Sequence, residues 1–111
     1  MTITSTQSKN PASVFNMAVG RYLDTGTVAA FTLTVGFKAR YVRIQNLNSS
    51  GFVRMEWYEG MAAASGVKTA KTGDQSLITT LGITVAAKTI LVGFDTDLLV
   101  TSEQLSWLAI G

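Results

Sequence analysis

The sequence predicts an all-β fold, an antiparallel β-sandwich of jelly-roll-like type with eight or nine short strands. Three observations predict it. Short runs of β-branched and aromatic residues recur along the chain, separated by Gly, Asn, Asp and Ser. No stretch shows the apolar spacing of an amphipathic helix. Several runs are apolar at consecutive positions, so both of their faces call for cover, and a second layer would supply it.

In chain order, residues 1–12 are polar and hold the only proline, Pro11; they read as an extended N-terminal arm. Residues 13–111 read as one β-sandwich domain, long enough to fold on a core without a metal or disulfide. Residues 14–23 (VFNMAVGRYL) form a strand with a bend at Gly20. Asp24-Thr25-Gly26-Thr27 is a turn. Residues 28–35 then alternate: Phe31, Leu33 and Val35 share one face, Ala30, Thr32 and Thr34 the other. That is the pattern of an antiparallel strand buried on one side.

Residues 37–61 (FKARYVRIQNLNSSGFVRMEWYEGM) carry the strongest local prediction. Two β-rich arms flank Asn48-Ser49-Ser50-Gly51, a turn composition. Pairing the arms across that turn sets Ile44 opposite Met55 and Val42 opposite Trp57, an apolar face that supplies the core. The other face then has Arg43 opposite Glu56, Gln45 near Arg54, and Tyr41 opposite Tyr58. Arg40 falls opposite Glu59. A slip by one residue would exchange the two faces, so the pattern fixes the register. Cross-strand ion pairs contribute roughly 0.2–1 kcal/mol each. Arg43–Glu56 is therefore expected as a register pin, with Arg40–Glu59 as a second cross-strand pair at the open end.

After the hairpin, residues 60–66 (GMAAASG) are small and flexible, either a corner connection or a contact loop anchored by Met61. Residues 67–70 read as a short strand and 71–75 as a turn. Residues 77–80 and 83–85 read as short strands broken at Gly82. Residues 89–94 (TILVGF) and 105–110 (LSWLAI) are apolar on both faces and read as central strands. Asp95-Thr96-Asp97 is a turn, and the type of Leu98-Leu99-Val100 is left open.

The chain has neither His nor Cys. Imidazole bases, thiol nucleophiles and the commonest metal ligands are therefore excluded. Glu56 and Glu59 point to opposite faces of one strand and cannot flank a glycosidic bond. Asp95 and Asp97 suit an Asx turn better than a calcium loop, whose ligand spacing is missing. No catalytic, cofactor or metal site is expected. The nine Lys and Arg residues are spread along the chain, which argues against nucleic acid as a partner. No signal peptide and no apolar run of transmembrane length is visible, so a membrane is not expected either. Tyr41 and Tyr58, with Trp57 and Tyr22, leave open a sugar-stacking platform. Charged residues make up 14% of the chain, against about 25% in a typical soluble domain. Surfaces so poor in charge tend to be covered by other copies or by a partner.

GFKARYVRIQNL, EWYEGMA, VKTAKTG, GITV, GF-TD and LSW, in that order, resemble a family of small tailed-phage and prophage virion structural proteins. The resemblance runs over residues 36–111, about two thirds of the chain, with Ala39 where the family pattern has Pro. It implies a non-enzymatic protein of the virion. The leading expectation is a decoration (cement) protein on the outer capsid surface. Its expected partners are other copies of itself, as a homotrimer, and the major capsid protein. The expected contacts are Lys9, Pro11 and Phe15 in the arm and Met61 in the small-residue loop. A head–tail or tail-associated protein and a carbohydrate-binding module stand as alternatives.

Overall fold

The computed structural model describes residues 16–48 and 51–111. The expected arm and the contact candidates Lys9, Pro11 and Phe15 lie outside them. The described residues form eight strands: β1 (Met17–Tyr22), β2 (Phe31–Thr34), β3 (Tyr41–Asn46), β4 (Arg54–Tyr58), β5 (Ser65–Thr69), β6 (Gln75–Val85), β7 (Thr89–Val92) and β8 (Leu105–Ile110). All of them belong to one antiparallel sheet, in the order β1-β8-β3-β4-β5-β6-β7-β2. The all-β antiparallel reading holds. The second sheet of a sandwich or jelly roll is not found among the described residues; the single sheet curls into a half-barrel instead.

The bend in β6 explains the curl. Where the sequence suggested two strands broken at Gly82, one strand runs through and bends. Its first half pairs with β5 and its second half with β7, with a register shift between Ser65 and Gly66. Leu81 takes a left-handed conformation at φ 60°. Gly82 donates to the Ala64 carbonyl at 3.0 Å, and Gly93 donates to the Gly82 carbonyl at 2.9 Å. A Cβ on Gly82 would lie 2.5 Å from the Ser65 carbonyl carbon, and one on Gly93 would lie 2.6 Å from the Leu81 carbonyl carbon. Three backbones meet here, and only hydrogens fit between them.

The concave side holds the core. β3 contributes Val42 and Ile44, β4 Met55 and Trp57, β6 Ile83, β7 Ile90 and Val92, and β8 Leu105 and Ala109. A second sheet is unnecessary because residues 93–104 fold across one end of this side. Asp95 Oδ1 accepts from the amides of Asp97 (3.0 Å) and Leu98 (3.2 Å), forming a tight turn. The turn drives Leu98 and Leu99 into the core. Leu98-Leu99-Val100 is thus a turn and its continuation, not a strand. Buried Asn46 ties this segment down: its Nδ2 donates to the Leu98 carbonyl and to Glu103, each at 3.0 Å.

β1 and β2 are the sheet's edges. Tyr22 and Phe31 bridge them at one end, stacked with ring centroids 3.9 Å apart and 5° between planes. β7 and β8, read from sequence as buried on both faces, are buried on one. Leu91 points outward and is exposed, and Leu108 and Ile110 are half-buried on the convex side.

Candidate functional site

The hairpin of β3 and β4 forms in a register that sets Tyr41 against Tyr58, Val42 against Trp57, Arg43 against Glu56, Ile44 against Met55 and Gln45 against Arg54. Val42, Ile44, Met55 and Trp57 point to the core. Arg43 stands opposite Glu56 in the ladder, but the two form no ion pair. Glu56 turns to its own strand and to the two tyrosines. Its Oε1 lies 3.1 Å from Arg54 Nε, a charge contact without hydrogen-bond geometry. Its Oε2 accepts from the hydroxyls of Tyr41 at 2.6 Å and Tyr58 at 3.2 Å. Arg54 and Tyr58 lie two residues either side of Glu56 and so share its face, closer to the carboxylate than a cross-strand arginine. Arg40 and Glu59 approach to 3.8 Å, loosely and near solvent.

Burial, the hydrogen bond to Glu56 and the carboxylate charge together push the Tyr41 hydroxyl up to about 12. The charge of Glu56 is the main cause of a rise at Tyr58 as well. Both hydroxyls are thus held neutral and committed to one acceptor. Their rings lie 5.3 Å apart but tilted by 51°, which is not a flat platform for a sugar ring.

Met61 is drawn inward. Its sulfur accepts from the Tyr58 amide at 3.2 Å, and its own amide donates to the Tyr58 carbonyl at 3.0 Å. It lines a cleft of about 260 Å³ whose floor includes Trp57 and Val85 and whose rim carries Lys38 and Glu59. Trp57 Nε1 donates to the Ala62 carbonyl at 3.3 Å, so the loop 60–64 is pinned over the core as a corner.

Asp95 and Asp97 gather a partner that no sequence spacing indicated. Lys68, on the concave face of β5, places its Nζ 3.0 Å from Asp95 Oδ2 and 2.7 Å from Asp97 Oδ2. Its ammonium occupies the position a cation would take. Burial pulls the Lys68 pKa down, but hydrogen bonds to Asp97 and Asp95 and their charges outweigh it, and the net shift is upward. The hydrogen bond from Lys68 and its positive charge lower Asp97. Asp97 also borders a cleft of about 320 Å³ with Val53, Lys71, Thr72, Val100 and Glu103. Among the described residues, no three His, Cys, Asp or Glu side chains converge as metal ligands. No described helix is long and apolar enough to cross a membrane.

The convex face of β1, β8, β3 and β4 is an exposed feature that the ladder registers define. Across it run two rows: Met17, Ile110, Tyr41, Tyr58, and beside them Val19, Leu108, Arg43, Glu56. The second row continues through Val67 to Leu77. Met17 is 54% exposed, Val19 65%, Tyr58 47% and Leu77 68%. Comparison with protein-family models, with curated proteins and with solved structures returned no match. The sequence reading missed this face because its apolar members come from both ends of the chain. Met17 and Val19 each look like one side of an ordinary strand until β8 is laid beside β1.

Proposed function

We propose that this chain is a non-enzymatic structural protein of a tailed-phage virion, a decoration (cement) protein that binds the outer capsid surface as a homotrimer. The observation that carries the reading is the convex sheet face, where Met17, Val19, Leu108, Ile110, Tyr41 and Tyr58 form one apolar and aromatic surface next to water. A surface of this kind is suited to burial against protein. The order of motifs over residues 36–111, which resembles virion structural proteins, supports the major capsid protein as the partner of this face and other copies as partners elsewhere on the chain. Binding of this kind stabilises a shell by linkage, because the bound protein favours the assembled state over the dissociated one. Met61 supports contact less than its sequence position suggested, since it is tethered over the core.

The test is the composition of purified particles. Decoration requires the chain in numbers commensurate with the shell subunits and, by electron microscopy, density outside the shell. A small symmetric set at one vertex would instead indicate a head–tail or tail-associated protein. Absence from particles would reject the reading.

A further inference from the structure

We infer that the convex face of β1, β8, β3 and β4 docks on the acidic, partly apolar surface of a different protein, with Arg21 and Arg43 reading the acidic groups. The identity of that protein as a capsid subunit rests on the proposed function; the chemistry of the face does not.

The charges on the face support this. Arg21, Arg43 and Arg54 stand on it with one carboxylate, Glu56. Glu56 is occupied by Arg54 and the two tyrosines. Arg21 and Arg43 are exposed and have no ion-pair partner among the described residues. Arg21 pairs in register with Ser106, and Ser106 with Gln45, which lies two residues from Arg43 on β3. The two guanidinium groups therefore project from strands that flank β8, within reach of one acidic stretch on a partner.

The apolar members stand beside them. Val19 lies between Met17 and Arg21 on β1, and Leu108 is its ladder partner. No described lysine stands on the face: Lys68 turns inward, and Lys38, Lys71 and Lys88 lie in connections. Arg, Tyr and Met with little Lys is the composition that marks protein-binding surfaces. A nucleic-acid surface would instead focus Lys and Arg and leave out an exposed Met and Val.

A second copy is the wrong occupant. Face-to-face pairing of two copies would bring two sets of such arginines together with no free carboxylate among the described residues of the face to answer them, and like charges at an interface act as a barrier. Four adjacent strands, spaced about 4.8 Å apart and about 17–20 Å long, make roughly 300–400 Å² of sheet, the size of a small, transient contact rather than the about 800 Å² per partner of a standard interface.

The experiment uses the full chain in cells that produce the particles. A photo-crosslinking amino acid replaces Val19 in one variant and Leu91, on the convex side of β7, in another. A crosslink from position 19 to an Asp- or Glu-containing peptide of another protein is expected, with none of comparable yield from position 91. Adding Arg21→Glu with Arg43→Glu is expected to cut the position-19 crosslink about tenfold or more, since reversed charges oppose an acidic partner. Circular dichroism and melting of the variant should match those of the parent. A crosslink from position 19 to a second copy, to lipid or to nucleic acid would overturn the inference. So would no crosslink, or one undiminished by charge reversal. If the charge-dependent crosslink persists while particles lack the chain, the virion role fails and the docking face stands.

Discussion

Gly82→Ala tests the bend that curls the sheet. The added Cβ would meet backbone on the β5 side: the Ser65 carbonyl carbon at 2.5 Å and the Ala64 oxygen at 2.8 Å. Neither is the free end of a flexible side chain, so relief requires β5 and β6 to part. Parting them strains the Gly82 to Ala64 bond (3.0 Å), the Gly93 to Gly82 bond (2.9 Å) and the Ala64 to Ile83 bond (3.1 Å). Overpacking costs about 1–3 kcal/mol, and two or three weakened hydrogen bonds add about 0.5–1.5 kcal/mol each. The expected loss is therefore about 2–7 kcal/mol, a large part of the stability of a small domain. Gly73→Ala is the control, because Gly73 has φ +90° and open space around its would-be Cβ. Only backbone strain of about 1–2 kcal/mol applies there. Urea unfolding of parent and both variants measures the difference. If Gly82→Ala costs no more than Gly73→Ala, the three-backbone contact is not what sets the bend.

The Tyr41 hydroxyl should titrate near 12 by ultraviolet difference absorbance, and Glu56→Gln should lower its midpoint while leaving the part due to burial. Because the folded state favours the neutral hydroxyl, Tyr41 should make stability fall as pH rises from 10.0 through the folded value, by at most about 1.4 kcal/mol per pH unit; Tyr41→Phe should remove that share of the slope, leaving the part due to the other raised groups. Lys68→Met leaves Asp95 largely buried without its cation, and should cost about 1–3 kcal/mol in urea unfolding. The raised Lys68 adds stability in the parent that is lost as pH rises beyond 10.5, and the lowered Asp97 adds stability that is lost as pH falls below 3.8; the variant should lack both losses. In double-mutant cycles Arg43 and Glu56 should show coupling near zero, whereas Arg54 and Glu56 should show about 0.2–1 kcal/mol. Strong coupling of Arg43 with Glu56 would mean the carboxylate turns across the ladder in solution.

The register of β3 and β4 was legible in the sequence because it depends on alternation over a short separation. Val42, Ile44, Met55 and Trp57 share a face only in pairings of one parity, and the short turn between the arms selects among these. The partner of Glu56 was not legible, because register states which residues are opposite and not which side chains reach each other. The curl was half visible: Gly82 signalled an irregularity, but a break and a bend leave the same glycine in the sequence. Two-sided apolar runs suggested a second sheet over β7 and β8. The segment 93–104 supplies the concave cover instead, and the convex apolar residues stay at the surface. The Lys68 cluster joins groups 27 and 29 residues apart through a loop with no periodic signal.

The place of β8 in the sheet has a consequence for synthesis. It is the last strand of the described chain, yet it lies between β1 and β3 and supplies the ladder partners of both. Until residues 105–110 leave the ribosome, β1 has no neighbour, and the inward positions opposite Leu105 and Ala109 are uncovered. β1 and β8 therefore join the sheet only once residues 105–110 are available, after the other six strands can already have paired. A nascent chain stalled shortly before Leu105 would present unsatisfied edges on β1 and β3 to its surroundings, the condition under which strands pair with the wrong molecule.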